Sequence, residues 1–170
     1  MGIFYGNSTS QSNLLADIWR STTSHQGNTT PLVNWERPDT GNQGYVAGMS
    51  ESSGVFSFPK TGLYLVQFFA QMYLHNSTAT SQRNTAGIQL TTNNSSFSTA
   101  SQGHVHFGGG GYSTSIDTQA TSACAIIFDI TDTGNQKVRF FFGAGQGGEY
   151  VRGDSSTNET YATFQLLGDT

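Results

Sequence analysis

The sequence predicts an all-β fold, an antiparallel sandwich of short strands. Three observations predict it. The dominant hydropathy period is two residues. Turns rich in Gly, Asn, Ser and Pro punctuate the chain at short intervals. No sustained 3.6-residue period runs through it. A chain of 170 residues has room for one domain and can bury a core without staples.

Asn13 to Arg20 is the one helix candidate. Asn13 would cap it, and Leu14, Leu15, Ile18 and Trp19 would share a face. It is short and stands outside the alternating pattern, so residues 1–30 are read as an N-terminal arm or edge segment and residues 31–170 as the sandwich. Gly54-Val-Phe-Ser-Phe-Pro59 alternates and stops at the proline. Pro59-Lys-Thr-Gly62 is a turn, with proline presetting φ and glycine free to take positive φ. Leu63 to Leu74 is a long strand. It places Tyr64, Val66, Phe68, Ala70 and Met72 on one face, and Leu63, Leu65, Gln67, Phe69 and Gln71 on the other. Both faces are largely apolar, so both need cover. One would meet the domain core and the other a second subunit.

Thr85–Thr91, His104–Phe107, Ser122–Ile130, Gln136–Phe142 and Glu159–Leu167 are further strands. Asp132-Thr-Gly-Asn135 turns the chain between two of them. Segments 93–103 and 108–115 read as Ser/Asn/Gly loops.

Composition narrows the function. Charged residues are only 11% of the chain, while Ser, Thr, Asn and Gln exceed a third. Seven Lys and Arg spread over 170 residues of net charge −4 make no phosphate-binding stripe, which argues against nucleic acid. The single Cys124 excludes an internal disulfide framework and a multi-cysteine zinc site. No stretch reaches the roughly 18 apolar residues of a membrane helix. Met1 to Arg20 lacks the pattern of a signal peptide, which predicts action in the compartment of synthesis or on a particle assembled there.

The stretch Gly54-Val-Phe-Ser-Phe-Pro-Lys-Thr-Gly-Leu-Tyr-Leu-Val66 resembles the C1q/TNF-like jelly-roll superfamily. The carrying residues are Phe56, Phe58, Pro59, Gly62 and Tyr64. Thr133-Gly-Asn-Gln-Lys-Val-Arg-Phe140 resembles the family's penultimate turn and strand, with Asn135 where an acid is usual. Tyr161-Ala-Thr-Phe-Gln-Leu-Leu167 resembles its terminal strand. The resemblance spans about residues 30–168. It implies a ten-strand jelly roll packed as a homotrimer. Leu65, Gln67, Phe69 and Tyr161 would then face partner subunits, and Tyr64, Val66, Phe68 and Phe164 the core. Stand-alone domains of this kind, rich in Ser, Thr, Asn and Gly, resemble those on bacteriophage and large-virus particles.

The expectation is a non-enzymatic virion protein, a trimeric capsid decoration or cement protein of a bacteriophage, with a major capsid protein or other virion protein as partner. Phe4, Tyr5, Leu14, Leu15, Ile18 and Trp19 are the candidate capsid anchor. An alternative is a receptor-binding fibre or baseplate tip, with Tyr112 and Tyr150 stacking on a host surface glycan. A second alternative is a soluble C1q-like ligand or lectin. No cofactor or metal is expected.

Several motifs compete with these readings. Gly143-Ala-Gly-Gln-Gly-Gly148 fits G-x-G-x-x-G, but no helical face follows it, so it reads as a loop. Arg152-Gly153-Asp154 is an adhesion tripeptide by sequence, and equally a turn in a glycine-rich segment. His104 and His106 would share a strand face and could ligate a metal, yet no acid or Cys neighbours them. Asp129 and Asp132 could bind Ca²⁺, although Asp132 fits the turn better. Asn-x-Ser/Thr sequons occur at Asn7, Asn28, Asn76, Asn93, Asn94 and Asn158, and chance alone produces several in so Ser/Thr-rich a chain. No nucleophile elbow appears, and Glu36 and Asp39, on a Pro-containing loop, suggest no paired-carboxylate cleft.

Overall fold

Two-residue alternation builds the molecule outward from a long strand inside one sheet. The computed structural model describes residues 14–39, 43–46, 48–74, 82–107, 118–145 and 148–170. Twelve strands lie among them: β1 (Ala16–Ser21), β2 (His25–Gln26), β3 (Trp35–Glu36), β4 (Ser50–Ser52), β5 (Val55–Ser57), β6 (Gly62–Leu74), β7 (Gln82–Thr91), β8 (Ser98–Phe107), β9 (Thr118–Ile130), β10 (Lys137–Gly143), β11 (Glu149–Val151) and β12 (Tyr161–Gly168). All named pairings are antiparallel. One sheet, here sheet A, runs β2-β11-β6-β12-β1-β3, and β9 pairs with β6 on its other side. The second, sheet B, runs β4-β5-β10-β7-β8.

β6 alternates as its sequence demands. Tyr64, Val66, Phe68, Ala70 and Met72 are fully buried, while Leu65, Gln67, Phe69 and Gln71 remain partly exposed. Gly62 opens the strand at φ 142°, where an added Cβ would lie 2.6 Å from Leu166 Cδ1. Glycine is required there by conformation and by space.

The core between the sheets is aromatic. Trp35, Phe56, Phe68, Phe140 and Phe164 interlock at centroid separations of 4.7–6.4 Å. Each well-oriented aromatic pair adds about 0.5–1.5 kcal/mol beyond simple burial. Trp19 meets Phe56 edge-on at 5.5 Å.

The amino-terminal expectation needs correcting. Residues 16–21 form strand β1, not the second half of a helix, and it is hydrogen-bonded to β12 on one edge and β3 on the other. Leu15, Asp17 and Trp19 turn inward while Ala16 and Ile18 turn outward, so the four apolar residues share no face. An isolated helix of this length is marginal in water, and two sheet partners outweigh its local preference. Residues 16–26 are thus built into sheet A rather than standing outside the sandwich. The segment 93–103 is corrected as well. Its second half opens β8, which pairs with β7 from Ser98 onward. The 108–115 segment lies outside the described residues.

Candidate functional site: the outer face of sheet A

The outer face of sheet A is set by register. Phe69 of β6 sits between Tyr161 of β12 and Ala123 of β9. Leu65 sits between Gln165 and Ile127, and Gln67 between Thr163 and Ala125. Tyr73 faces Tyr150 of β11 on one side and Gln119 on the other. Residues directly opposite in an antiparallel pair share a face, so these side chains form one continuous surface.

Its anchors are two stacked aromatic pairs. The Phe69 and Tyr161 rings lie 4.7 Å apart at 16°, and Tyr73 and Tyr150 lie 4.9 Å apart at 13°. Amides and hydroxyls fill between them. Gln71 Nε2 donates to Gln119 Oε1 at 2.7 Å, and Thr163 Oγ1 donates to Gln67 Oε1 at 3.3 Å. Toward the other end the face turns aliphatic, with Leu63 36%, Leu167 50% and Ile127 65% exposed. β6 and β12 carry no charged residue at all.

Charge is sparse on this face: Asp129 of β9 is exposed opposite Leu63 at the aliphatic end, and the other charges stand at the margins. Arg20 of β1, opposite Tyr161, is fully buried, with Nε 2.8 Å from Glu36 Oε1 and an Nη 2.9 Å from Asp39 Oδ1. Arg152 bridges to Glu159 at 2.7 Å and lies 5.9 Å from the Tyr73 ring. On the core side of β1, Asp17 holds Arg37 through two hydrogen bonds of 3.0 Å and accepts the Met49 N–H at 2.6 Å.

The structure brings Leu65, Gln67, Phe69 and Tyr161 together on this face. It divides the candidate anchor residues. Leu15 and Trp19 are 1% and 8% exposed and belong to this chain's own core, so they do not serve as an external anchor. Ile18 is half-buried and sits opposite Thr163 on the outer face, and Leu14 is 62% exposed. Phe4, Tyr5 and Tyr112 lie outside the described residues. Tyr150 is not on a loop but in β11, stacked on Tyr73. That pair escaped sequence reasoning because β11 is only three residues long.

The competing motifs are placed too. The glycine-rich segment from Gly143 leads into strand β11, not a helix. Asp154 accepts the Ser156 and Thr157 N–H groups at 2.6 and 2.8 Å, which holds its carboxyl below the usual carboxylate range, the Ser156 side chain contributing most. With Arg152 bound to Glu159, both charged ends of the Arg-Gly-Asp tripeptide serve the chain's own loop. Asp132 accepts the Gly134 N–H at 2.9 Å and the Asn135 side chain at 2.7 Å, and this turn likewise lowers its pKa, the Asn135 side chain first. His104 and His106 are exposed on one face of β8, with His104 Nδ1 2.9 Å from Thr85 Oγ1. Among the described residues no three His, Cys, Asp or Glu converge as a metal cage. Burial pushes the Cys124 thiol up to about 11, which makes it a poor nucleophile at neutral pH. Glu36 and Asp39 both bind Arg20 and do not flank a cleft.

No protein-family model matches the chain, and no curated protein matches it in sequence. Solved structures do match in shape. Eiger TNF from S. frugiperda superposes with a TM-score of 0.63 at 17% identity, over 92% of this chain and 94% of that one. Murine APRIL at pH 5.0 superposes with a TM-score of 0.59 at 11% identity, over 91% and 99%. The chain therefore has the TNF-like jelly-roll fold, as the Phe–Pro–Gly-x-Tyr stretch led us to expect.

Proposed function

We propose that this chain is a non-enzymatic structural protein that assembles as a homotrimer through the outer face of sheet A. In its biological setting the trimer decorates a virus particle, a bacteriophage capsid in the first instance. The observation that carries the assembly reading is the uncharged stripe of Phe69, Tyr161, Tyr73, Tyr150, Leu65 and Ile127. Fully burying each large side chain of this kind is worth about 1.5–3 kcal/mol. An obligate interface of such composition resembles a domain core cut in two. The C1q/TNF-like resemblance supplies the threefold arrangement.

The particle reading is supported by composition. A trimer that spends its aromatic face on itself presents a hydroxyl- and amide-rich exterior with few charges. Leu14 remains as an anchor candidate toward a capsid protein, with Phe4 and Tyr5 preceding it in sequence, whereas Ile18 lies on the outer face of sheet A that the trimer would cover. Quantifying this chain on purified particles, and melting particles made with and without it, tests the reading. Many copies per particle and a lower melting temperature without it are expected. Unchanged particle stability would overturn decoration. A few copies per particle would favour a fibre or baseplate tip instead, but Tyr150 would then be engaged within the trimer rather than offered to a glycan.

A further inference from the structure

The opposite side of the sandwich carries a different surface. β5, β7, β8 and β10 contain no Asp or Glu. Glu51 of β4 pairs with the buried Phe56, on the core side, and accepts the Gly54 N–H. Along β10 the residues between the core-facing Val138, Phe140 and Phe142 are Lys137, Arg139 and Phe141. These lie across from Thr91, Gln89 and Gly87 of β7.

Arg139 is held in place by neutral neighbours. Its Nε donates to Gln89 Oε1 at 2.8 Å, and its guanidinium carbon lies 4.1 Å over the Phe97 ring. Gln89 is itself tied to Thr99 at 3.4 Å. No carboxylate pairs with Arg139 among the described residues, and partial burial lowers its pKa with no opposing charge to raise it. The Nε contact leaves the two terminal nitrogens for a second partner, and their fork matches a carboxylate. Two residue pairs along, on the same face, Phe141 lies across Gly87. A Cβ there would come within 2.6 Å of Phe141 Cε1, so the missing side chain is what lets the ring lie down on the sheet. Gln102 of β8 continues this row and is exposed. Residues two apart on one strand are about 6.6–6.8 Å apart. That span fits one pyranose, with its carboxylate at Arg139 and its apolar face on Phe141. Lys137 precedes Arg139 on the same strand and adds charge for a neighbouring acidic unit. Its Nζ donates to Thr133 O at 2.8 Å, and Asp132 is the nearby acid.

We propose that the outer face of sheet B, centred on Arg139, Phe97 and Phe141, is a binding site for carboxylate-bearing sugars of the uronic acid type. The site is built within one protomer and goes beyond the assembly reading, so it stands or falls separately from the trimer.

The test is calorimetric titration of the full chain with tetragalacturonate, with its neutral tetramethyl ester, and with a hexaglutamate peptide. Saturable binding of the acid is expected, with the ester weaker by about tenfold to a hundredfold, the worth of charge-assisted hydrogen bonds. Arg139→Gln should weaken the acid by a similar factor at an unchanged melting temperature, and Phe141→Leu should weaken acid and ester alike. The acid-against-ester comparison on the unmodified protein needs no variant to fold. Absence of binding by the acid, equal binding of acid and ester, or full binding by Arg139→Gln would each overturn the site. Hexaglutamate binding as tightly as the sugar acid would also overturn it, in favour of an acidic protein partner.

Discussion

The two outer faces of this sandwich invert each other. Sheet A presents stacked rings and aliphatic side chains on strands β6 and β12, which carry no charge. Sheet B presents Lys137, Arg139, Arg83, His104 and His106 on strands that hold no acid. Both faces share one core and differ only in which residues occupy the outward half of the alternation. The difference assigns each a solvent. A face like that of sheet A gains from a dry partner, whereas one like that of sheet B gains from water or an anion.

Breaking one face and sparing the other sharpens this contrast. The largest effect is expected from Phe69→Asp, which would put a carboxylate into the centre of the proposed interface. An uncompensated buried charge costs about 3–5 kcal/mol, repeated in each subunit. The native mass should fall to that of one chain, 18.2 kDa. Arg139→Glu, on the opposite face, should leave the native mass unchanged. Phe140→Ala tests the shared core. Phe140 is fully buried and touches Trp35, Phe56, Phe68 and Phe164. Its truncation should cost about 3–5 kcal/mol in denaturant titration, and its effect should not depend on protein concentration beyond that of the parent. Tyr150→Ala, which removes one stacked ring at the margin of sheet A, should cost about 1 kcal/mol and leave the core intact.

The smallest effect concerns acid. His25 of β2 is half-buried beside the Val33 carbonyl, 3.2 Å away, and burial lowers its pKa below 6.5 more than that hydrogen bond raises it. The folded state thus binds this proton less readily than the unfolded chain. The stability contributed by neutral His25 is fully present above pH 6.5 and is lost as pH falls toward the lower folded value. His25→Gln should flatten the dependence of melting temperature on pH between 7 and 5. An equally steep dependence in the variant would show that the proton is taken up elsewhere.

How legible the fold was from sequence varied with the range of the forces involved. β6 was readable because its own alternation and the Pro59–Gly62 turn encode it locally. β1 was not. Leu14, Leu15, Ile18 and Trp19 fit a helical spacing, and the strand is decided by β12, some 145 residues away in sequence. The burial of Arg20 was hidden for the same reason, since its acids stand 16 and 19 residues on. The opening of β8, Ser98-Thr-Ala-Ser-Gln102, looks like a loop by composition and becomes a strand by pairing with β7. Of the candidate interface, Leu65, Gln67, Phe69 and Tyr161 were legible from alternation and resemblance. Tyr73 with Tyr150 needed the register of β11, and Arg139 with Phe97 needed two segments distant in sequence to be brought together by the fold.

In the proposed trimer the outer face of sheet A is covered by copies of the same chain. Light scattering of the purified protein on a sizing column tests it most directly, over a range of loading concentrations. A homotrimer should give about three times 18.2 kDa, stable to dilution, and collapse to one chain in Phe69→Asp. A monomer at every concentration would contradict it, leaving the aromatic stripe of sheet A for a different partner.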